Sequence, residues 1–295
     1  MSKDWKEKFR PEDLQRLRGF RLMDDDFMSK CFEENIECTE LVLQIVLGRD
    51  DLKVEKVAIQ HQLKNLQGRS IIFDIYATDH AGKRYNVEIQ RADRGAGAKR
   101  ARYHSSLIDA NVTEPGEKLE NLVETYVIFI TERDVLGKGK PIYHIDRVIK
   151  ETGENFGDEA HILYVNGEYR DESPIGILMH DFSCTDARDM KYRTLAERVR
   201  YFKEDEKGVA AMCKAMEDMI TDFTLKQKDG NTVVSKYCNL HYDVVSLTVK
   251  KHILFAKDVV LKIFALEEAR SKNGTQDGQS SLIKRYSEET QFVMV

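Results

Sequence analysis

The sequence predicts an α/β protein, a mixed sheet flanked by helices, with a helical appendage at its C-terminal end. Three observations carry that expectation. Residues 71–77 and 85–90 alternate apolar and polar side chains with a period of two, the signature of half-buried strands. "ETYVIFITE" (124–132) and "AHILYVNG" (160–167) are apolar runs of strand length, as strands covered on both faces show. From about residue 185 the strand signal fades and apolar positions recur at helical spacing.

Taken in order, residues 1–22 read as a charged N-terminal arm, irregular or briefly helical. "DDDFMSKCFEENIECTELVLQIVLG" (24–48) reads as one helix, started by its aspartates and stopped at Gly48. Phe32, Ile36, Leu43, Val46 and Leu47 form its apolar face, and Glu37, Glu40 and Gln44 share another stripe. A strand over 53–63 precedes the alternating hairpin, and a helix is expected from about Gly97. After the two buried strands, "DARDMKYRTLAERVRYFKEDEKGVAAMCKAMEDMITD" reads as two helices. The segment beginning "DVVSLTVKKHILF" is β-branched early and helical late. The expected division is an arm at 1–22, a core at 23–180, a helical region at 181–270, and a linker and tail at 271–295.

Composition narrows the function classes. The chain has 295 residues, 41% hydrophobic and 33% charged, enough to bury a core. A net charge of -5 argues against blanket affinity for nucleic acid but leaves room for a local basic patch. No 18-residue apolar run and no signal peptide appear, so a cytoplasmic protein without membrane association is expected. The five cysteines are scattered without zinc-ligand spacing, and the eight histidines are dispersed, with no serine or cysteine partner in any motif.

The hairpin "FDIYATDHAGKRYNVEIQ" (73–90) poses the chemical question. A loop of His80, Ala81 and Gly82, with glycine in the left-handed position, pairs residue 79 with 83. Continuing down the ladder, Asp74 falls opposite Glu88, with β-carbons about 4.5–5.5 Å apart. Two like charges about 5 Å apart at an effective dielectric near 20 repel by roughly 3 kcal/mol. A shared proton, a nearby cation or a divalent ion would relieve this, and so would simple exposure to water.

Asp74 followed by Glu88-Ile89-Gln90 resembles the D…ExK motif of the PD-(D/E)xK nuclease superfamily. It is closest to the transposase-like branch of recombination-promoting nucleases, whose motif often ends in E-x-Q. "KRARYHSSLI" (99–108) resembles the helix that follows in that family, with Arg100 and Tyr103 at matching positions, and "ILYVNGEYRDE" and "FKEDEKGVAAMCKAMEDM" resemble downstream blocks. The likeness spans about residues 20–220.

The resemblance implies a restriction-endonuclease-like core and a metal-dependent endonuclease. Its DNA substrate would be cut with little sequence preference, in recombination or mobile-element biology. Asp74, Glu88 and the carbonyl of Ile89 would hold Mg²⁺, or Mn²⁺ in its place, with Glu40 as the acid added from the first core helix. Gln90 stands where the superfamily has lysine; it can orient a water but brings no charge. Arg100 and Tyr103 would steady the site or the scissile backbone, while Lys99 and Arg102, in the basic stretch 91–102, would contact phosphates. Homodimerisation is left open. The competing reading is a nucleic-acid-binding or assembly protein that keeps the fold and has lost its chemistry.

Overall fold

The computed structural model describes residues 5–65, 68–91 and 95–228, with side chains as far as 218. Arg94, the segment 243–270 and the tail 271–295 lie outside the described residues. Six strands form one mixed sheet in the order β1-β2-β3-β4-β6-β5: β1 (Val54–Leu63), β2 (Ile71–Asp79), β3 (Arg84–Gln90), β4 (Thr125–Thr131), β5 (Ile142–Ile145) and β6 (Ala160–Asn166). β1-β2 and β2-β3 are antiparallel, β3-β4 and β4-β6 are parallel, and β5 returns antiparallel along the edge. β5 had no signal in the sequence. It is four residues long, partly exposed and, among the described residues, paired only with β6.

The loop of the central hairpin is as expected. Asp79 N donates to Lys83 O, Gly82 N donates to Asp79 O, and Gly82 takes φ 83°, which a side chain would strain. Asp79 locks the turn, accepting from the amides of Ala81 and Lys83 and from the Tyr85 hydroxyl.

Helices cover both faces. One face carries α1 (Pro11–Gly19), α2 (Asp25–Phe32), α3 (Ile36–Leu47), α5 (Pro174–Ser183), α6 (Arg193–Glu204) and α7 (Glu206–Lys228), whose apolar stripes share a core with Ile75, Ala77, Val87, Ile130 and Val165. The other face is covered by α4 (Ala98–Val112), which packs Ala101, Leu107 and Ile108 on Phe73, Val127 and Phe129.

Three expectations need correction here. The single helix over 24–48 is two helices, because Glu34 turns left-handed (φ 55°) and Asn35 caps a new start, accepting from Cys38 N at 2.9 Å. Ile36, placed on the apolar face, is therefore exposed. The arm and the helices after residue 180 are not separate in packing: Leu17, Leu195, Phe202 and Met212 lie in the same core as α2 and α3.

The third correction is in the sheet itself. Ile71, Phe73, Ile75 and Ala77 do not share one face. Ile71 and Phe73 pack under α4, whereas Ile75 and Ala77 face α2 and α3. The neighbouring strand changes face at the same level, with Ile59 on one side and Leu63 on the other. The paired positions at the break are Gln60 and Asp74. Gln60 has φ 51°, the left-handed backbone that a non-glycine residue adopts only at a cost of roughly 1–3 kcal/mol.

Candidate active site

The break in β2 gives Asp74 its unusual setting. The regular β2-β3 ladder runs from Thr78↔Arg84 to Ile75↔Val87. Beyond it the Asp74 carboxylate enters the seam, and Oδ2 accepts from Ile89 N at 2.8 Å. Carried one step further, the register sets Asp74 against Glu88, the pairing the loop length predicts.

Asn86, Glu88 and Gln90 alternate with the buried Tyr85, Val87 and Ile89, and Asn86 and Glu88 reach side chains of α4. Glu88 is wholly buried. Its Oε2 accepts from an Arg100 terminal nitrogen at 2.6 Å, while Oε1 is buried with no hydrogen-bond partner. Burial pushes the Glu88 carboxyl up to about 7, against the pull of Arg100, of the Asn86 side chain and of the Asp74 amide. Burial and the adjacent Glu88 charge push Asp74 well above the usual range too, with Asp25 adding to the effect.

Asp25 is the acid that reading the sequence missed. It is the first residue of α2, and its field is felt at both Asp74 and Glu88. Its Oδ1 accepts from the amide nitrogen of Gln60, at the break in β1, at 3.3 Å. In the sequence the only sign was an acidic run that also reads as a helix start.

Glu40, the acid expected from the first core helix, does not reach this place. Its carboxylate accepts from Lys53 Nζ at 2.8 Å and from Val54 N at 2.9 Å, and Val54 pairs with Asp79. Five residues of strand at about 3.3–3.4 Å each separate that level from Asp74, roughly 17 Å. The helix that carries an acid to the pair is α2; α3 ties down the start of β1.

Arg100 organises the remaining side chains. Beside Glu88 it donates to Gly95 O at 2.9 Å, to Gln90 Oε1 at 3.4 Å, and through Nε to His104 Nε2 at 3.2 Å. A β-carbon on Gly95 would lie 1.7 Å from Gln90 Oε1, so any side chain there would displace the Gln90 amide. His104 is buried under the sheet, and burial with the charges of Arg100 and Arg69 lowers its imidazole to about 3, so it is neutral. Of the residues expected on nucleic acid, Lys99 and Arg102 are exposed on α4. Tyr103 has its hydroxyl committed to the loop before β2, donating to Arg69 O and accepting from Asn65 Nδ2.

A mixed sheet with helices on both faces, and buried acids at the end of its central hairpin, defines the restriction-endonuclease-like class of fold. Residues 33–170 match the model of the PD-(D/E)XK nuclease family transposases. Asp74, Glu88, Gln90 and the helix α4 lie inside the match, and Asp25 precedes it. Neither a curated protein nor a solved structure matches the chain. No helix among the described residues is long and apolar enough to cross a membrane.

Proposed function

We propose that this protein is a divalent-metal-dependent endonuclease that hydrolyses DNA phosphodiesters with little sequence preference, at the site formed by Asp74, Glu88 and Gln90. The observation that carries the reading is the pair of acids, each raised by burial, with Glu88 Oε1 buried and without a partner. A buried anionic oxygen with no donor is costly unless a cation or proton completes it. Oxygen donors of this kind suit a hard ion, Mg²⁺ or Mn²⁺.

Asp74, Glu88 and the Ile89 carbonyl would hold the ion, and Asp25 takes the role expected of Glu40. When bound, the ion supplies Lewis-acid polarisation of the phosphodiester and a more acidic water. The chain's own residues do the rest. The Ile89 amide fixes the orientation of Asp74, and Arg100 balances the charge of Glu88. The Gln90 amide, held by Arg100 and by the clearance at Gly95, orients the attacking water without adding charge. Lys99 and Arg102 supply phosphate contacts that do not depend on sequence.

Nicking of supercoiled plasmid with and without Mg²⁺, for the wild type beside Asp74→Ala, tests the reading. Metal-dependent nicking lost in the variant is the expected result. DNA retained without cleavage by both proteins would favour the binding and assembly role.

A further inference from the structure

We propose that His104 is a positioning residue for this centre: a neutral imidazole, protonated on Nδ1, that holds the Arg100 guanidinium against Glu88. The inference rests on the nuclease reading for its catalytic consequence, but its structural part stands alone.

The argument begins with an obligate donor. A guanidinium nitrogen has hydrogens and no lone pair to offer, so Arg100 Nε, 3.2 Å from His104 Nε2, can only donate. Nε2 must then present its lone pair. A neutral imidazole carries its one proton on the other nitrogen, so Nδ1 is the donor.

Nδ1 lies 3.0 Å from the Asn86 amide group and 3.7 Å from Glu88 Oε1. The second distance is too long for a hydrogen bond, so Asn86 is the partner. An Nδ1 donor requires the amide oxygen there. As placed, the Asn86 nitrogen faces the ring and also favours the Glu88 carboxylate, while Asn86 Oδ1 is buried with no partner. The two ends of an amide have the same shape, and turning the group brings its oxygen to the imidazole.

The ring is also fixed mechanically. It lies between Phe73 and Phe129, with centroids 5.2 and 5.9 Å away, and Arg100 itself lies over Phe129. Asn86 on β3, His104 and Arg100 one turn apart on α4, and Glu88 on β3 thus form one line of contacts from the sheet to the helix and back. A hydrocarbon side chain at 104 would fill the space but leave Arg100 without its acceptor.

The test uses the full chain labelled with ¹⁵N-histidine. The spectrum of the wild type is expected to show His104 protonated at Nδ1 and bare at Nε2; a proton on Nε2 would overturn the proposal. Cleavage of a fluorescent duplex by His104→Gln and His104→Leu supplies the second arm. Gln offers Arg100 an acceptor and should stay within a few-fold of wild type. Leu should lower kcat by roughly 10–100-fold, the usual effect of removing a group that orients a metal-site side chain, with KM unchanged. Equal activity in the two variants, whether normal or impaired, would reduce His104 to packing and refute the positioning role. A wild type that cuts nothing would remove the nuclease reading, and the tautomer spectrum would still decide the structural part.

Discussion

Replacing Asp74 with asparagine should make the metal-free protein more stable at alkaline pH, and the size of the gain can be worked from the site. The folded protein raises both acids, Asp74 by burial and the nearby Glu88 charge, Glu88 by burial to about 7. A carboxyl raised on folding contributes stability that is fully present below its unfolded pKa and is lost as pH climbs through the folded value. For Glu88 that window runs from about 4.5 to about 7. At 1.36 kcal/mol per pH unit the loss is about 3 kcal/mol, but it comes mainly from burial and the Asp74→Asn variant shares it. Direct repulsion between charges about 5 Å apart at a dielectric near 20 is also roughly 3 kcal/mol. Asparagine retains an oxygen for the Ile89 amide while removing the charge. In EDTA, the wild type should therefore fall well below Asp74→Asn at pH 8 and approach it near pH 4. About 3 kcal/mol corresponds to about 6–12 °C in melting temperature for a domain near this size. Added Mg²⁺ at pH 8 should raise the wild type and leave the variant where it was. Equal melting temperatures at pH 8 without metal would refute the strained acid pair.

Further outcomes follow from the same geometry. Asp25→Asn should abolish or strongly reduce Mg²⁺-dependent nicking, whereas Glu40→Gln should leave nicking intact and only loosen the start of β1. Lys99→Ala with Arg102→Ala should weaken binding about equally across DNA sequences, measured with Asp74→Asn to prevent cleavage. It should also flatten the log–log salt slope by roughly 0.9 for each lost phosphate contact. Gln90→Ala should leave Ca²⁺ affinity by calorimetry nearly unchanged and lower turnover by roughly 10²–10³. Gly95→Ala should reproduce part of that loss, because the new methyl displaces the Gln90 amide.

The parts legible in the sequence were those set by a local rule. The period-two hairpin, its loop at 80–82 and the two double-sided strands followed from alternation, turn chemistry and apolar run length, and each stands where expected except for the change of face within β2. The family signature lay in the same stretch. The missed parts depend on what packs where. One Asn35 cap, reinforced by a left-handed Glu34, outweighed a continuous helical pattern and left Asp25 of α2, rather than Glu40 of α3, as the helix acid whose charge reaches Asp74. The edge strand β5 exists because β6 offers it a partner, and four residues carry too little periodicity to announce that. The face change at Gln60 and Asp74 had no composition signal, since glutamine is not a residue that invites left-handed backbone.

That face change is what makes the acid cluster possible. In an unbroken sheet Asp74 would sit wholly on one side, seeing either the helices of one face or α4 on the other, because side chains alternate strictly along a strand. At the break it belongs to neither. Below the break its position would face α2, which brings Asp25; above the break even-numbered residues such as Tyr76 face α4, which brings Arg100 to Glu88 of β3. The carboxylate therefore enters the seam between β2 and β3, where the Ile89 amide holds it. The strain at Gln60 lies at the level of Asp74, and the Gln60 side chain bonds Asp25, whose charge is felt at both Asp74 and Glu88. Straightening that backbone would relieve a kilocalorie or so. It would also return Asp74 to a single face and separate it from either Asp25 or Glu88, so the strain and the acid cluster stand or fall together.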